Sequence, residues 1–320
     1  MMLSNSLGLQ ANAKNLININ TLDDLSLLEK LGDEEILILG AGTNVILGDY
    51  FNGTVIAVHL KGIEIRDDCI SVGAGVDWAD LIEYCLINKL YGIENLTHIP
   101  GSVGAAPVQN IGAYGVEISS FIYSVECFNL TTKKLETLNN HQCQFKYRES
   151  IFKLKDFVIL KINFVFDKSF SPNLSYPSLN KFLNDHSIDV TSLTPRMLSD
   201  SVKNIRNSKL PDPKIEPNVG SIFKNPIVRS QDLDNEFLAG HRWDQVDGYT
   251  KLSSARLIEL IEPELNIPDT LRLYENHSLV LINNGEASFD EVISVLNQIK
   301  SKIFKKFKIK LEIEPEIISS

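Results

Sequence analysis

The chain has few cysteines, no long apolar run and fewer basic than acidic residues. Its 320 residues include 31 Lys and Arg against 41 Asp and Glu, which gives a net charge of -10 at pH 7. Nucleic acids and anionic membranes attract basic faces, so neither is expected as the main partner. No stretch reaches the roughly 18 apolar residues of a membrane span, and the first residues lack a basic segment. These absences predict a cytoplasmic protein with a small-molecule ligand.

The four cysteines show neither C-x-x-C spacing nor partnering histidines; they are Cys69, Cys85, Cys127 and Cys143. This pattern favours free buried thiols over disulfides or zinc, and we expect no metal site. With 43% hydrophobic and 22% charged residues, the chain has the composition of a globular protein of two or three domains. No heptads or large apolar stripe stand out, which favours a monomer.

Residues 99–115 hold four glycines, three alanines and two prolines in seventeen positions. This composition lacks the large apolar side chains that a core helix or strand needs at regular spacing. Small residues let the backbone approach another molecule closely, and Ser102, Gln109, Asn110 and Tyr114 can supply hydrogen bonds. The segment is therefore typical of a loop wrapped around a large ligand, although a Gly-rich surface connection has the same composition.

A second Gly-containing loop, residues 40–47, follows a predicted buried strand at 35–39. Backbone N–H groups in such a loop can hold a pyrophosphate. The spacing is not G-x-G-x-x-G, since Asn44 and Val45 precede a second apolar run, and a dinucleotide-binding fold of the Rossmann type is not indicated. By itself the loop is equally compatible with a phosphate cradle and with an ordinary turn.

Apolar periodicity predicts an α+β chain with a strand-rich first half and a smaller mixed lobe after it. The predicted helices are 22–31, 79–88, 251–261 and 289–307, and the predicted strands include 55–58, 63–65, 69–72, 122–128, 157–164 and 279–282. Residues 167–207 are more polar, contain three prolines, and are predicted to be irregular and to include a domain boundary. Within them, Ser175, Tyr176 and Pro177 are interpreted as an exposed flap.

Three further polar segments are ambiguous when taken singly. Tyr147, Arg148, Glu149 and Ser150 are compatible with a surface ion pair. Residues 218–226 place Ser221 close to Lys224 and Asn225, which offers a hydroxyl beside anion-binding groups, but a simple turn has the same spacing. At the end of the chain, alternation puts Glu312, Glu314 and Glu316 on one face of a strand, where carboxylates are normally just exposed.

Taken in order, the two Gly-rich loops, the Tyr147 segment, the Gly220–Pro226 run and the final Glu314-Pro315-Glu316 resemble the UDP-N-acetylenolpyruvoylglucosamine reductase family. The resemblance covers essentially the whole chain. It implies an α+β fold of the vanillyl-alcohol-oxidase type, with two subdomains holding non-covalent FAD and a smaller α/β lobe for the substrate. The corresponding ranges are 1–67 and 68–205 for FAD, 206–305 for the substrate lobe, and 306–320 for a terminal segment that returns to the active site.

The resemblance also implies residue roles. NADPH would reduce FAD, and the reduced flavin would reduce the enolpyruvyl ether of UDP-N-acetylglucosamine to UDP-N-acetylmuramate for peptidoglycan. Arg148, Ser221 and Glu316 would be catalytic, with Ser221 protonating the α-carbon and Lys224 a candidate for activating it. FAD would contact Gly40, Ala41, Gly42, Thr43, Asn44, Val45, Ser102, Gly104, Ala105, Gln109, Asn110, Gly112, Ala113, Tyr114 and Gly115. Tyr147, Tyr176, Lys209 and Asn225 would bind the substrate.

One position departs from the family pattern. A lysine that contacts the diphosphate in related enzymes falls near Glu264 by count from Lys251. A carboxylate there would repel phosphate, so either the alignment is locally shifted or another cation, such as Arg272, replaces it.

Two other functions remain open from the sequence. One is a different FAD oxidoreductase of the same fold, such as an oxidase of small alcohols, which would react with oxygen and would not need Arg148, Ser221 and Glu316. The other is a nucleotide-sugar binding protein without catalysis. No histidine lies in either Gly-rich loop, so a covalent histidyl flavin is not indicated.

Overall fold

The computed structural model describes residues 1–66, 69–232, 240–245 and 248–319. The described residues form two compact units: residues 1, 13–41 and 52–208 in the first, and residues 2–12, 42–51 and 209–320, less those outside the description, in the second. No helix among the described residues is long and apolar enough to cross a membrane.

Strands make up much of both units. They are β1 (Met2–Leu3), β2 (Ala11–Ile19), β3 (Ile36–Ile38), β4 (Val45–Leu47), β5 (Tyr50–Val58), β6 (Ile63–Arg66), β7 (Cys69–Gly73), β8 (Gly112–Ala113), β9 (Val116–Glu117), β10 (Ile122–Asn129), β11 (Lys134–Asn139), β12 (Phe157–Phe164), β13 (Asn218–Ser221), β14 (Ile227–Arg229), β15 (Arg242–Asp244), β16 (Tyr249–Leu252), β17 (Leu271–Tyr274), β18 (His277–Asn283) and β19 (Glu316–Ile318).

Within the described residues the α-helices are fewer than the strands, and the longest of them, α6, has 19 residues. The α-helices are α1 (Leu25–Glu29), α2 (Trp78–Ile87), α3 (Pro177–Asp185), α4 (Pro195–Lys209), α5 (Ser254–Glu259) and α6 (Phe289–Phe307). Short 3-10 turns lie at Leu22–Asp24, Glu94–Leu96, Val103–Ala105, Ile118–Ser120, His141–Cys143, Ile151–Leu154, Val190–Ser192, Ser230–Asp232 and Glu262–Glu264.

The first unit contains an antiparallel sheet of order β11-β10-β12-β7-β6. Helix α2 begins at Asp77, whose carboxylate accepts the Ala79 N–H, and buries Trp78, Leu81, Ile82 and Cys85 at helical spacing. These residues belong to one apolar core with Val125, Ile162 and other inward-facing strand residues of the sheet. Cys85, Cys127 and Cys143 are buried and free, as predicted, whereas Cys69 is free but only half-buried. Burial raises the pKa of each of the three buried thiols to about 12.

The prediction that residues 167–207 are irregular is wrong, because α3 and α4 lie in this segment. Pro177 occupies the first turn of α3 and Pro195 the first position of α4, where a missing N–H costs nothing. Leu198, Val202 and Ile205 form a narrow buried stripe on α4 and pack with Leu179 and Leu183 of α3. Polar residues occupy the other faces of both helices, which is why the segment looked irregular.

The second unit is built on the antiparallel sheet β13-β18-β17. Helix α6 covers the predicted range and begins with a capping box, in which Ser288 and Glu291 each bond the other's backbone N–H. Its buried stripe, which includes Val292, Leu296 and Ile299, packs against Leu279 and Leu281 of β18. A second sheet, β14-β16-β15, and the parallel pair β4 and β19 complete the described part of this unit.

The predicted helix at 251–261 is partly wrong. Lys251 and Leu252 belong to β16, and the α-helix is only Ser254–Glu259. Lys251 pairs with Ile227 on one side and Trp243 on the other. Strand pairing with distant partners overrode the local helical pattern.

Candidate active site

In the first unit the Gly-rich loop is attached to the core by its own backbone. The N–H groups of Val103 and Gly104 donate to the carbonyls of Val76 and Ala74, both at 2.8 Å. A Cβ at Gly104 would lie 2.7 Å from the Ala74 Cβ, so only glycine fits here. A Cβ at Gly40 would lie 3.4 Å from Ser102 Oγ and 3.5 Å from the Ala105 Cβ. The structure therefore brings Gly40, in the first predicted cofactor loop, next to the second.

The far end of the Gly-rich loop is a tight hairpin. Strands β8 and β9 pair through Gly112 with Glu117 and Ala113 with Val116, and Tyr114 and Gly115 form the turn at φ of 48° and 84°. Two consecutive left-handed residues give the turn that matches strand twist. Gln109 and Ala113 are half-buried beside these residues.

Arg148 lies against this hairpin. Its guanidinium donates to the Gly112 carbonyl at 2.9 Å and to the Asn110 carbonyl at 3.5 Å. The residue has a left-handed backbone, φ 55°, within a turn closed by mutual bonds between Lys146 and Glu149. The Tyr147 ring centroid lies 5.2 Å from the Arg148 guanidinium carbon. The predicted Arg148 segment and Gly-rich loop are thus adjacent, although they are distant in sequence.

Asn110 is a structural centre of the loop. It is 1% exposed, and its Nδ2 donates to Glu117 Oε2 at 2.9 Å and to the Lys146 carbonyl at 3.2 Å. Its Oδ1 accepts the Ser119 N–H at 3.0 Å. These bonds hold the loop and the Arg148 turn together.

Two tyrosines from distant parts of the first unit meet at the hairpin. The rings of Tyr114 and Tyr176 are 5.3 Å apart between centroids, at 78°, an edge-to-face contact. Tyr176 is half-buried rather than exposed, which corrects the prediction of an exposed flap, while Ser175 and Pro177 are exposed. Burial raises the pKa of both phenols, so both hydroxyls stay protonated at neutral pH.

A second guanidinium, that of Arg206 on α4, adds positive charge to this region. Its Nε donates to the His98 carbonyl at 3.1 Å. The pKa of Arg206 is lowered, mainly because the guanidinium is buried. The Tyr114 phenol raises this pKa, and the positive charge of Arg148 lowers it. Two positive charges therefore lie near Tyr114, which suits an anionic ligand.

In the second unit, the rest of the first cofactor loop lies beside the end of the chain. Strand β4 pairs in parallel with β19, opposing Val45 to Glu316, and the Glu316 N–H donates to the Asn44 carbonyl at 3.0 Å. Gly42 has φ 68°, and a Cβ there would lie 2.4 Å from the Ser4 carbonyl oxygen. Thr43 and Asn44 are half-buried, and Gly42 is buried. Glu316 itself is exposed.

Ser221 ends β13, opposite Val280 of β18, after an irregularity in the pairing. Gly220 precedes it at φ 73°, and its N–H donates to Asn218 Oδ1 at 2.9 Å. The next residues run antiparallel to the terminal segment, because Phe223 bridges Ile313 and the Glu314 N–H donates to the Ile222 carbonyl at 3.1 Å. The hydroxyl of Ser221 and the carboxylate of Glu316 are thus carried by neighbouring chain segments.

The remaining predicted residues of the second unit have defined surroundings. The ammonium of Lys224 pairs with Glu312 at 3.2 Å. The Oδ1 atom of Asn225 accepts the Ser254 N–H at 2.9 Å, which leaves its amide nitrogen as the donor for a ligand. Lys209 is exposed and is the last residue of α4.

Glu264, at the position of the family's lysine, forms an ion pair with Lys306 at 3.1 Å. Arg272 pairs with Glu216, and with Glu275 at 3.1 Å. Arg272 is therefore already neutralised by two carboxylates, which weakens it as a replacement phosphate ligand.

These segments fit the FAD that the resemblance implies. Gly40 and Ser102 lie close together, a side chain would clash at Gly104 and be crowded at Gly112, and Ala105 and Ala113 add little bulk. A backbone lined by glycine and alanine lets a flat or extended cofactor approach closely. Within the first unit, Ser102, Gln109 and the backbone N–H groups of Gly40 and Ala41 are groups of the kind that can donate to a diphosphate.

Asn95 and Asn173 bond to the same hairpin, and the sequence analysis missed both. Asn95 donates to the carbonyls of Tyr114 and Asn173, and Asn173 donates to the Gly115 carbonyl. No sequence signal could have identified them, because asparagines occur in turns throughout the chain and the acceptors are far away in sequence. Only the tertiary structure identifies Asn95, as a buried amide that donates hydrogen bonds to two loops.

The family models and the curated relatives that match this chain point to the same family. Residues 27–137 match the family model described as FAD binding domain, and residues 212–318 match the C-terminal domain of UDP-N-acetylenolpyruvoylglucosamine reductase. Among curated relatives, the reductase of that name from Neisseria gonorrhoeae (strain ATCC 700825 / FA 1090) is 38% identical, covering 97% of this chain and 94% of its own. The one from Escherichia coli O157:H7 is 37% identical, with 90% and 85% covered.

A crystal structure of UDP-N-acetylenolpyruvylglucosamine reductase from Thermus caldophilus has the same fold. It aligns with a TM-score of 0.69 at 19% identity, covering 98% of this chain and 95% of that one. The predicted fold class, an α+β FAD-binding fold with a further α/β lobe, is confirmed. The chain therefore belongs to the UDP-N-acetylenolpyruvoylglucosamine reductase family and is an FAD-dependent oxidoreductase.

Proposed function

We propose that this protein uses NADPH to reduce the enolpyruvyl ether of UDP-N-acetylglucosamine to UDP-N-acetylmuramate, a precursor of peptidoglycan. The observation that carries the proposal is the pairing of the Ser221–Phe223 segment with the terminal segment that leads to Glu316. It brings a hydroxyl and a carboxyl onto neighbouring chain segments in the unit that matches the family's C-terminal domain.

When bound, FAD supplies the hydride chemistry, from NADPH to the β-carbon of the double bond. Negative charge then develops at the α-carbon and in the adjoining carboxylate. Ser221 donates the proton that the α-carbon needs, which completes the addition of one hydride and one proton across the bond. Arg148 stabilises the carboxylate by its fixed positive charge, and Glu316, when protonated, donates a hydrogen bond to it.

The geometry of Arg148 supports this role. Its guanidinium is already oriented by the Gly112 and Asn110 carbonyls, so little reorganisation is needed when charge develops. The neighbouring positive charge of Arg206 strengthens the local potential. Tyr147, stacked under the Arg148 guanidinium, is proposed to contact the same end of the substrate.

For the diphosphate, we propose Tyr176, Lys209 and Asn225 as donors. Burial raises the pKa of Tyr176, so its hydroxyl donates rather than repels. Lys209 supplies a charge at the end of α4. UDP-sugars and NADPH are cytoplasmic metabolites, and one chain carries all the proposed residues, so we expect a cytoplasmic monomer.

An anaerobic colour assay tests the reaction. The yellow holoprotein should be bleached by NADPH, and the colour should return on adding the enolpyruvyl ether, with UDP-N-acetylmuramate as the product. If oxygen but not the enolpyruvyl ether restores the colour, the protein is an oxidase of another substrate and the proposal fails.

A further inference from the structure

Asn95 lies in the 3-10 turn Glu94–Leu96 and is 1% exposed. Its Nδ2 donates to the Tyr114 carbonyl and to the Asn173 carbonyl, both at 2.8 Å. Tyr114 is in the hairpin of the Gly-rich loop, and Asn173 is three residues before Tyr176. One buried amide group therefore uses both of its hydrogens to join the hairpin to the Tyr176 segment.

A second amide bonds the same two segments from the other side. Asn173 Nδ2 donates to the Gly115 carbonyl at 3.1 Å. Asn173 Oδ1 accepts the Ser175 N–H at 3.1 Å and the Ser175 hydroxyl at 2.7 Å, which sets the chain direction just before Tyr176.

The segments also pack without space between them. Gly115 has φ 84°, where a side chain is strained, and a Cβ there would lie 2.7 Å from Ser175 Oγ and displace that hydroxyl. Tyr114 and Tyr176, which are the sequence neighbours of Gly115 and Ser175, make the edge-to-face ring contact. Two amide side chains, one glycine and one ring pair therefore determine where Tyr176 lies.

The turn that carries Asn95 is itself held firmly. Glu94 Oε2 accepts the Gly92 N–H at 2.8 Å, and the Thr97 hydroxyl bonds the Ser199 hydroxyl of α4 at 2.8 Å. His98, the next residue, accepts from Arg206. Asn95 therefore lies in a well-bonded turn, and its amide connects this turn to the hairpin and to the segment before Tyr176.

We propose that Asn95 is a positioning residue for Tyr176, which it aligns with the Gly-rich loop through the paired carbonyls of Tyr114 and Asn173. The consequence for substrate rests on the proposed function, in which Tyr176 binds the diphosphate. The alignment of Tyr176 by Asn95 does not depend on that function. Alignment and substrate binding can therefore be tested separately.

The first experiment measures alignment by backbone hydrogen exchange of the FAD-loaded protein, without any substrate. Asn95→Ala leaves two carbonyls without their donor, so peptides covering 110–116 and 170–178 should exchange about tenfold faster, the factor that about 1.4 kcal/mol produces. Helix α6, which belongs to the other unit and contains neither substitution, should be unchanged in both variants and serves as the internal reference.

The matched control is Asn163→Ala. Asn163 is also a buried amide of the first unit, 8% exposed, and donates to Ser124 Oγ at 3.0 Å and Glu126 Oε1 at 3.1 Å. It should alter exchange in the sheet and leave 170–178 unchanged. Equal acceleration of 170–178 by both variants, or none in Asn95→Ala, overturns the proposal.

The second experiment is a double-mutant cycle on the KM for the enolpyruvyl ether. Asn95→Ala should raise KM about tenfold with a smaller change in kcat, whereas in a Tyr176→Ala background it should change KM less than about twofold. Multiplicative effects of the two substitutions would mean that Asn95 does not act through Tyr176.

If Asn95→Ala does not fold, Asn95→Leu carries both tests, because leucine has nearly the shape of asparagine and lacks the two hydrogens that Asn95 donates to the Tyr114 and Asn173 carbonyls. If the wild-type protein does not reduce the enolpyruvyl ether, the proposed function fails, and hydrogen exchange alone decides the role of Asn95. Accelerated exchange confined to 110–116 and 170–178 would then still support it.

Discussion

The two units hold their proposed functional residues by different means. In the first, side chains bond to loop backbone: Arg148 to Gly112, and Asn95 to Tyr114 and Asn173. In the second, backbone bonds between chain segments carry Glu316 and the residues after Ser221. A side chain that holds a loop cannot be replaced without moving that loop. A side chain on a backbone-bonded segment can be replaced with little effect on structure, so its loss should affect chemistry alone.

The largest effect is expected for Ser221→Ala. Loss of a group used only in the transition state commonly costs ~10²–10³ in turnover. Reduction of the enolpyruvyl ether should slow by that factor, while bleaching by NADPH and the melting temperature stay near wild type. Stopped-flow kinetics of each half-reaction measure this separately.

The control for this prediction is Ser278→Ala, on the neighbouring strand β18, whose hydroxyl bonds Glu262. It should leave both half-reactions intact. Equal slowing of both by Ser221→Ala would remove Ser221 from its proposed role.

The next effect concerns the loop 40–45, which has residues in both units. Gly42→Ala places a Cβ 2.4 Å from a backbone oxygen at a left-handed φ, whereas Gly40→Ala makes only ordinary contacts at 3.4 Å and 3.5 Å. We expect Gly42→Ala to destabilise the protein by about 2 kcal/mol or more, and Gly40→Ala by much less. Thermal unfolding of the two variants decides this, and similar losses would contradict the packing described here.

A smaller effect should separate Arg148 from Glu316. Arg148→Met removes the bonds to the Gly112 and Asn110 carbonyls, so stability should fall by about 1 kcal/mol as well as activity. Glu316→Gln should change stability by less than about 0.5 kcal/mol, because the backbone holds this exposed residue. Urea unfolding of both variants tests the contrast. If Glu316→Gln lost as much stability as Arg148→Met, the proposed difference between the two units would be wrong.

The smallest effect is a pH dependence in the first unit. Burial raises the pKa of Glu94, backbone N–H groups lower it, and the charge of Asp167 raises it further. A carboxyl whose folded pKa exceeds its unfolded pKa favours the folded state at low pH, and that contribution is lost as pH rises through the folded value. The difference in melting temperature, Glu94→Gln minus wild type, should therefore be larger at pH 8 than at pH 4. A pH-independent difference would show that Glu94 does not titrate in this way.

Much of the fold was predictable from local pattern. Helix α6 was predicted with its observed ends, because its apolar period and its Ser288 cap are both local. Helices α3 and α4 were not, since each buries only a narrow stripe among polar residues. The strand at Lys251 was mistaken for helix because its two partner strands lie elsewhere in the chain.

The sequence by itself determined the two Gly-rich loops and the order of the motifs, because glycine and alanine set backbone freedom and close approach wherever they stand. Only the tertiary structure decided that Arg148 bonds the Gly112 carbonyl and that Asn95 joins Tyr114 to Asn173. The acceptors in these contacts are backbone carbonyls, which every residue carries. Their partners are therefore selected by folding and not by any feature of the sequence nearby.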